Sequence, residues 1–497
     1  MSFKRELIQG QEVLSTEISQ EFLDHPYEEC GLIGIWNQPQ AAYDAYYGLH
    51  ALQHRGQEGA GIASLDQGQM YTHRDFGLVN QIFKRRQSLE ELPGNAALGH
   101  VRYATAGLND INNIQPLVFR FHDGPIAMGH NGNLVNAKCL RTELESQGAI
   151  FNASSDSEVI MHLIRRSKAG SFIGQVKEAV QQIVGGFTYI FLTKDQMIGL
   201  CDPNGFRPLI VGQMGDQGYV MASESCALDQ IGATYLFDVE PGQLVSISAE
   251  GIHKEYYTDK RSQAICSMEF IYFARPDSNI YGVNVHTARK NSGRILAQEH
   301  PVPNADIVIG VPNSSLSAAT GYAEAAGMPY EMGLIKNQYI GRTFIQPTQE
   351  LRERGVRLKL SAVRKVVEGK RIVMVDDSIV RGTTSRRIVR LLKAAGAKEV
   401  HVRIASPALK HPCFYGIDIS NIKDLIAAHH TKQEITEMIG ADSLAFLSEQ
   451  GLIEAINLPS QAPYQGLCMA YFNGDYPTAL HDFEQAYLAA LDQIVKD

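Results

Sequence analysis

Hydrophobic positions in the first half of the chain form short runs that are separated by turn residues. One amphipathic helix is predicted from Ala41, with Tyr46, Leu49 and Leu52 on its apolar side. The remaining runs predict strands at residues 30–36, 98–103, 125–130, 187–193, 196–201, 208–212, 219–222 and 243–248. Many strands with few helices favour an antiparallel α+β domain that extends to about residue 260.

The pattern changes after about residue 300, where apolar strands alternate with helical segments. A helix is predicted from Leu316, and strands are predicted at 306–311, 330–335, 371–376 and 399–404. This alternation predicts βαβ units and a parallel sheet, with a domain boundary near 257–270. Residues 1–29 form a polar, weakly helical lead. Helical pieces are expected at 425–429 and 433–439 in the C-terminal tail.

Composition sets the broad class of the protein. A chain of 497 residues exceeds one ordinary core, so two or more domains are expected. The net charge of −9 gives no general attraction to nucleic acid or to acidic membranes. No apolar run reaches the length of a membrane span, and no secretory signal opens the chain. Seven scattered cysteines suit a reducing compartment, so we expect a cytoplasmic protein.

The most informative stretch is 371–384, which reads RIVMVDDSIVRGTT. The pattern predicts a buried strand that ends in Asp376 and Asp377, followed by a loop that contains hydroxyl side chains and one glycine. A helix is predicted after this loop, and Gly396 is well placed to end it. Free N–H groups at such a helix start bind anions, and paired carboxylates accept sugar hydroxyls or hold magnesium on a pyrophosphate. The alternative is a surface turn, although ligands of α/β proteins commonly bind at this end of a strand.

In the first domain the candidate chemistry centres on Cys30. A lone cysteine at a strand end is usually a small buried hydrophobe. Polar, glycine-containing segments interrupt later strands at 99–107, 129–134 and 154–158. With Cys30 they resemble the glutamine amidotransferase domain of the N-terminal-nucleophile hydrolases. The motifs that carry this resemblance are CGLIGI at 30–35, HRGQE at 54–58, HVRY at 100–103 and HNG at 130–132.

That resemblance implies a mechanism for glutamine. Residues 1–29 would be a propeptide, and the freed α-amine of Cys30 would serve as general base for its own thiol. The thiolate would form a thioester as ammonia leaves, and Asn131 with the Gly132 N–H would form the oxyanion hole. Arg102 would bind the glutamine α-carboxylate and Asp156 its α-ammonium. Either charge could otherwise be an ordinary surface group.

The stretch 375–384 resembles the phosphoribosylpyrophosphate motif of the phosphoribosyltransferases. From Cys30 to about Pro477 the chain resembles the amidophosphoribosyltransferases of the propeptide-bearing type. Segments 267–277, 331–337, 341–347 and 381–387 add to the resemblance. It implies a four-layer αββα N-terminal-nucleophile glutaminase domain at 30–260. An α/β type I phosphoribosyltransferase domain with a parallel sheet and a helical C-terminal tail would follow at 261–497.

The implied activity is hydrolysis of glutamine and transfer of its ammonia to phosphoribosylpyrophosphate, which opens purine synthesis. Magnesium would lie among Ser314, Asp376 and Asp377. The implied contacts of phosphoribosylpyrophosphate are Asp376, Asp377, Ser378, Arg381, Gly382, Thr383, Thr384 and Lys336, with Arg342 and Lys359 as further candidates. The resemblance also implies purine nucleotide inhibitors and a homodimer or homotetramer.

One departure concerns a [4Fe–4S] cluster, which many propeptide-bearing relatives hold on four cysteines. Cys266, Cys413 and Cys468 fall at matching positions, but Tyr471 stands where the fourth cysteine is expected. A phenol replaces a soft thiolate poorly. The departure favours a cluster-free pocket and leaves the question open.

Three functional hypotheses follow from the sequence. The first is the glutamine-dependent enzyme. The second is a phosphoribosyltransferase that uses free ammonia because its propeptide is retained. The third is a non-catalytic phosphoribosylpyrophosphate-binding regulator of transcription, which neither the charge nor a helix-turn-helix signal supports.

Overall fold

A computed structural model describes residues 6–8, 11–13, 30–103, 110–337, 360–417, 419 and 421–494. Its first half contains two antiparallel sheets. The seven-stranded sheet has the order Thr234–Asp238, Ile210–Met214, Gly218–Ala222, Gly31–Trp36, Ala96–Arg102, Gly59–Asp66 and Gln69–Phe76. The six-stranded sheet has the order Gly251–Tyr256, Gln243–Ser248, Gln196–Cys201, Gly185–Leu192, Gly124–Leu134 and Leu117–Phe121.

The two sheets pack face to face, and helices cover both outer faces. Leu32, Ile190, Met197 and Val245 belong to the apolar layer between the sheets. Such burial on both faces explains why every residue of Gly185–Leu192, including the polar Thr188, is buried. Helices Ala41–Ala51 and Ser225–Ile231 cover the larger sheet, and Val159–Arg166 and Phe172–Val180 cover the smaller one. The predicted αββα arrangement is therefore confirmed.

Further helical segments complete this half. They are the α-helices Val79–Ile82, Arg86–Glu90 and Ala137–Ser146 and the 3₁₀ turns Gln53–Arg55, Ile111–Asn113 and Asp156–Glu158.

The second half is built on a parallel sheet with the order Ile307–Gly310, Arg371–Asp376, Glu399–Ile404 and Ser443–Phe446. Helix Thr383–Ala394 buries Ile388, Val389 and Leu392 on one face and ends before Gly396, whose φ is +98°. Its other helices are Val285–Glu299, Leu316–Ala326, Arg364–Val367, Ile426–His429, Lys432–Ile439, Glu449–Ile456, Ala470–Asn473 and Glu484–Ile494. The parallel sheet is confirmed, and after residue 420 the chain contains helices together with the sheet strand Ser443–Phe446.

Short elements connect these parts. A π-helix spans Glu269–Phe273, and 3₁₀ turns span Ile422–Asp424, Pro463–Gly466 and His481–Phe483. Two-stranded pairs join Ile265–Cys266 with Leu467–Cys468, and Asn279–Ile280 with Val283–Asn284.

Two local predictions were wrong. Within 330–335 only Tyr330 bridges to the parallel sheet, while Leu334–Lys336 pairs antiparallel with Leu360–Ala362 outside it. The exposed Glu331 and Met332 separate the two pieces, so the run is not one buried strand. In the lead, Glu6–Ile8 pairs antiparallel with Gln11–Val13 instead of forming helix.

Among the helices that the structure describes, none is long and apolar enough to cross a membrane.

Candidate active sites

Cys30 lies at the start of a central strand of the larger sheet. The strand Gly31–Trp36 runs between Gly218–Ala222 and Ala96–Arg102. The Cys30 thiol is half-buried and lies 3.5 Å from the carbonyl oxygen of Tyr103. Its own carbonyl oxygen accepts a 3.2 Å hydrogen bond from Arg55 Nε. The partial exposure suits a nucleophile better than a core hydrophobe.

The predicted oxyanion residues lie on the facing sheet, in Gly124–Leu134. A Cβ added to Gly129 would lie 2.5 Å from Leu32 Cδ2, so the two strands approach closely there. Residues two apart on a strand point to the same face of their sheet. Cys30 therefore lies on the same inner face as Leu32, and Asn131 lies on the same inner face as Gly129. Cys30 and Asn131 therefore project into the same space between the sheets.

Asn131 and Gly132 each show a feature expected of an anion-binding site. Asn131 is buried, and in the described part of the chain its side-chain amide has no hydrogen-bond partner. Such an orphaned buried amide is uncommon and calls for a functional explanation. Gly132 has φ +132°, and an added Cβ would lie 2.1 Å from the Gly186 carbonyl oxygen, so this position requires glycine.

Arg102 and Asp156 border the same region. Arg102 ends the strand beside that of Cys30 and lies buried, 3.7 Å from Glu58 Oε2. Asp156 begins a 3₁₀ turn and accepts a 2.9 Å hydrogen bond from the Leu134 N–H. Burial raises the pKa of Asp156 to about 6. Asp156 is therefore ionised at neutral pH and can hold an ammonium group.

Two buried histidines support this region. Both lie in the quoted motifs, although no role was predicted for either. His130 Nδ1 lies 2.9 Å from Ser157 Oγ, and the His130 ring stacks on Tyr189 at 4.3 Å. His100 Nε2 lies 3.1 Å from the His130 carbonyl oxygen. Burial lowers the pKa of each imidazole to about 3. Both rings are thus neutral at physiological pH, and we interpret them as supports of the HNG strand.

Asp376 and Asp377 lie buried at the carboxyl end of the strand Arg371–Asp376. Asp376 Oδ1 accepts hydrogen bonds from Ser315 Oγ at 2.9 Å and from the Asp377 N–H at 3.0 Å. Asp377 Oδ1 accepts one from Ser378 Oγ at 3.1 Å. Ser314 was the serine predicted at this site from the sequence, whereas the hydroxyl that the structure brings to Asp376 is that of Ser315.

The predicted phosphate loop joins this strand to a helix. Gly382 has φ +76° and directly precedes helix Thr383–Ala394. The N–H groups of the first turn of a helix make no hydrogen bond within the helix, which is why helix starts commonly bind anions. Arg381 is turned toward Asp424, with which it forms an ion pair of 3.2 Å. Lys336 is exposed on its short strand. Arg342 and Lys359 lie outside the described residues.

The three cysteines of the predicted cluster position meet in one small cavity. Cys266, Cys413, Cys468 and Tyr471 line a space of about 10 Å³. That is room for about one water molecule and not for a four-iron cluster. Tyr471 also offers a phenol where a fourth soft thiolate would be needed. The space and the donor set therefore do not fit a four-cysteine cluster.

Comparisons with known proteins agree with this geometry. Residues 100–230 match the family described as "Glutamine amidotransferase domain", and residues 285–413 match "Phosphoribosyl transferase domain". The amidophosphoribosyltransferase of Staphylococcus aureus (strain MRSA252) is 59% identical over 465 residues, which are 93% of this chain and 94% of that one. The amidophosphoribosyltransferase of Bacillus subtilis (strain 168) is 56% identical, with 91% and 95% covered.

A solved structure is also similar. Glutamine phosphoribosylpyrophosphate amidotransferase from B. subtilis, complexed with ADP and GMP, superposes with a TM-score of 0.87 at 55% identity. The match covers 91% of this chain and 100% of that one. With two domain families in the same order and relatives more than half identical over nine-tenths of its length, the chain belongs to the amidophosphoribosyltransferase family.

Proposed function

We propose that Cys30 carries the glutamine half-reaction of this family and that Asp376 and Asp377 carry the phosphoribosyl half-reaction. The chain hydrolyses glutamine and transfers the ammonia to 5-phosphoribosyl 1-pyrophosphate. The products are 5-phosphoribosylamine, glutamate and pyrophosphate, in the first step of purine synthesis. The observation that best supports the assignment to Cys30 is the buried Asn131 amide, which has no hydrogen-bond partner among the described residues. By strand alternation it lies on the sheet face that opposes the face of Cys30.

In the proposed glutamine reaction, removal of residues 1–29 frees the α-amine of Cys30. This amine has an ordinary pKa of about 8 and takes the thiol proton. The thiolate attacks the side-chain amide carbon of glutamine. Asn131 and the Gly132 N–H donate to the oxygen that becomes negative. The C–N bond then breaks, the ammonium of Cys30 returns a proton to the leaving nitrogen, and water hydrolyses the thioester to glutamate.

Two charged residues would orient glutamine for this attack. Arg102 binds the substrate carboxylate with two parallel N–H groups, which a lysine could not supply. Asp156 binds the substrate ammonium as a carboxylate, and a bound cation favours that form further.

In the second site the chain itself supplies oxygen donors and an anion cradle. Residues 378–384 would bind the 5′-phosphate through backbone N–H groups and the hydroxyls of Thr383 and Thr384. Ser314, Asp376 and Asp377 would hold magnesium, whose hard oxygen preference their side chains match. When bound, the ion supplies charge neutralisation to the departing pyrophosphate. No group of three or more acidic, histidine or cysteine side chains that could hold a metal occurs in the described ranges.

Three further properties are proposed. The cavity lined by Cys266, Cys413 and Cys468 is cluster-free, because it offers three thiols and almost no space. Purine nucleotides inhibit the chain, a proposal that the ADP and GMP bound to the B. subtilis relative support. The chain assembles as a homodimer or homotetramer, as the family resemblance implies. All seven cysteines lie within the described residues and none of them forms a disulfide bond, which supports a cytoplasmic location.

The experiment that tests whether the two half-reactions use separate sites compares glutamine with ammonia as the nitrogen source. Intact-mass measurement of purified protein should give a chain that begins at Cys30, with glutamine-dependent activity. Alkylation of Cys30, or Cys30→Ala, should abolish glutamine use and leave ammonia use within about twofold. A chain that keeps residues 1–29 and uses ammonia alone would favour the second hypothesis. Loss of both activities on alkylation would contradict two separable sites.

A further inference from the structure

A buried arginine lies directly behind the Cys30 backbone. Arg55, from the HRGQE motif, is 1% exposed. Its Nε donates to the Cys30 carbonyl oxygen at 3.2 Å. Its two terminal nitrogens donate to two glutamates: Glu224 Oε1 at 2.6 Å, and both oxygens of Glu269, at 2.6 and 3.0 Å. The guanidinium therefore joins the nucleophile to two buried carboxylates.

The two glutamates belong to different parts of the fold. Glu224 directly precedes helix Ser225–Ile231 of the two-sheet domain. Glu269 opens the π-helix Glu269–Phe273, which follows both sheets in the chain. Phe270 of this helix lies in the same core cluster as Val373 of the parallel sheet. Arg55 is thus held from both domains at once.

Further groups from the second part of the chain reach this network. Glu224 Oε2 accepts hydrogen bonds from the Arg275 N–H at 2.9 Å and from Ser278 Oγ at 2.7 Å. Although burial raises it, the pKa of Glu224 is held well below its ordinary value by the charges of His54 and Arg55. Glu224 is therefore ionised across the working pH range.

The energetics of this arrangement indicate that the network orients Cys30 more than it stabilises the fold. Burying charges removes their hydration, and a buried ion pair often stabilises a protein no more than apolar residues of the same size would. The network's hydrogen bonds do give Arg55 a single orientation, and its Nε then fixes the Cys30 carbonyl. A fixed carbonyl fixes the backbone torsion at Cys30 and hence the directions of its thiol and α-amine.

We propose that Glu269 is a positioning residue for the glutamine half-reaction, acting across the domain boundary through Arg55 on Cys30. Glu224 holds the other side of the same guanidinium. The alignment of the nucleophile then depends on how the phosphoribosyltransferase part docks against the two-sheet domain. The inference rests on the proposed role of Cys30 as nucleophile.

The test is Glu269→Gln, which keeps the shape of the side chain and removes its charge. We expect the glutamine-dependent kcat to fall at least tenfold. KM for glutamine should change less than threefold, because in the described structure Glu269 does not contact Arg102 or Asp156, the residues proposed to bind the substrate. Ammonia-dependent synthesis should stay within twofold, which also shows that the variant is folded. Alkylation of Cys30 by iodoacetamide should slow in parallel with kcat.

A second variant covers the case in which Glu269→Gln does not fold. Arg55→Lys keeps the charge between the glutamates, but one ammonium cannot serve both carboxylates and the Cys30 carbonyl. It should give the same loss of glutamine use with ammonia use retained. Glu324→Gln, at an exposed ion pair with Arg294 on helix Leu316–Ala326, is the matched control and should change neither activity.

Several outcomes would overturn the proposal. They are full glutamine activity in Glu269→Gln, an equal loss with glutamine and ammonia, or the absence of folded protein for both network variants. The last would assign the network to the fold and not to Cys30. Absence of glutamine activity in the wild-type chain would instead contradict the proposed role of Cys30 itself.

Discussion

Ser315 Oγ donates a 2.9 Å hydrogen bond to Asp376 Oδ1, and both side chains are buried. The same oxygen accepts the Asp377 N–H at 3.0 Å. These two bonds fix the plane of the Asp376 carboxylate at the end of its strand. Ser315 is thus distant from Asp376 in the sequence, yet it orients this carboxylate. Asp376 is one of the two acids on which the phosphoribosyl half-reaction is proposed to depend.

Replacing Ser315 by alanine should weaken binding of phosphoribosylpyrophosphate by about tenfold, since a hydrogen bond to a charged group contributes about 1.5–3 kcal/mol. Glutamine-dependent and ammonia-dependent rates should fall together, because both use the same acceptor site. Titration of the substrate in both assays would measure this. Ser317→Ala is the control, since the Ser317 hydroxyl contacts His286 and not a carboxylate. A loss confined to glutamine use would contradict the assignment.

The local sequence predicted the secondary structure of this site better than the hydrogen-bond partners of its side chains. The strand that ends in Asp376, the glycine before the helix and the helix stop near Gly396 are all local features, and all three are confirmed. Ser315 lies 61 residues from Asp376, and only the pairing of the two parallel strands brings them together. Periodicity carries no information on such a contact.

Asn131→Ala should reduce the glutamine-dependent kcat by about 10²–10³, the usual effect of removing one oxyanion donor. The buried amide has no other partner among the described residues, so stability should change little. Steady-state rates with glutamine and with ammonia, together with a thermal melting curve, would test this. Asn133→Ala is the neighbouring control, since the Asn133 side chain donates to the Phe414 carbonyl oxygen instead. Equal rate losses in the two variants would contradict the oxyanion assignment.

Glutamine binding should weaken in acid. Burial raises the pKa of Asp156 to about 6, and only its carboxylate form attracts the substrate ammonium. As pH falls through 6, Asp156 becomes protonated, so KM for glutamine should rise about tenfold per pH unit below that value. Measurement of KM from pH 5 to pH 8 would show the break. In Asp156→Asn, KM should be high and independent of pH over this range; an unchanged break there would assign the titration to another group.

Acid should also destabilise the two-sheet domain. Burial lowers the pKa of His100 and His130 to about 3, whereas a histidine in the unfolded chain titrates near 6.5. Between these values the unfolded state binds more protons, so stability present above about pH 6.5 is lost as pH falls toward 3. Each histidine should contribute up to about 1.4 kcal/mol per pH unit within this window.

The measurement is the pH dependence of unfolding in His130→Gln. At pH 5 this variant should take up about one proton fewer on unfolding than the parent chain. His253→Gln, at an exposed position on strand Gly251–Tyr256, should leave the uptake unchanged. Equal proton uptake by the parent and His130→Gln would show that His130 titrates normally in the folded protein.

The network around Arg55 shows why other parts of the sites were missed. The HRGQE motif marked Arg55 as part of a familiar segment, yet Glu224 and Glu269 stand in no motif that pointed to Cys30. They meet Arg55 from 169 and 214 residues away. In a sequence, a buried glutamate is seen only as an acidic residue next to apolar ones. An exposed acidic residue at the end of an ordinary helix or strand gives the same pattern, so the two cannot be distinguished.

The last prediction concerns the cavity lined by the three cysteines. Purified protein should contain far less than one iron per chain and lack the visible absorption of an iron–sulfur cluster, because Tyr471 supplies a phenol where a fourth thiolate would be needed. Tyr471→Cys both restores the fourth sulfur and removes a bulky ring from the cavity wall. After anaerobic reconstitution with iron and sulfide, that variant should gain iron, whereas Tyr471→Ser, which opens the same space without a thiol, should not. Stoichiometric iron and sulfide in the parent chain would show that three thiols and a phenol suffice, and would overturn the cluster-free assignment.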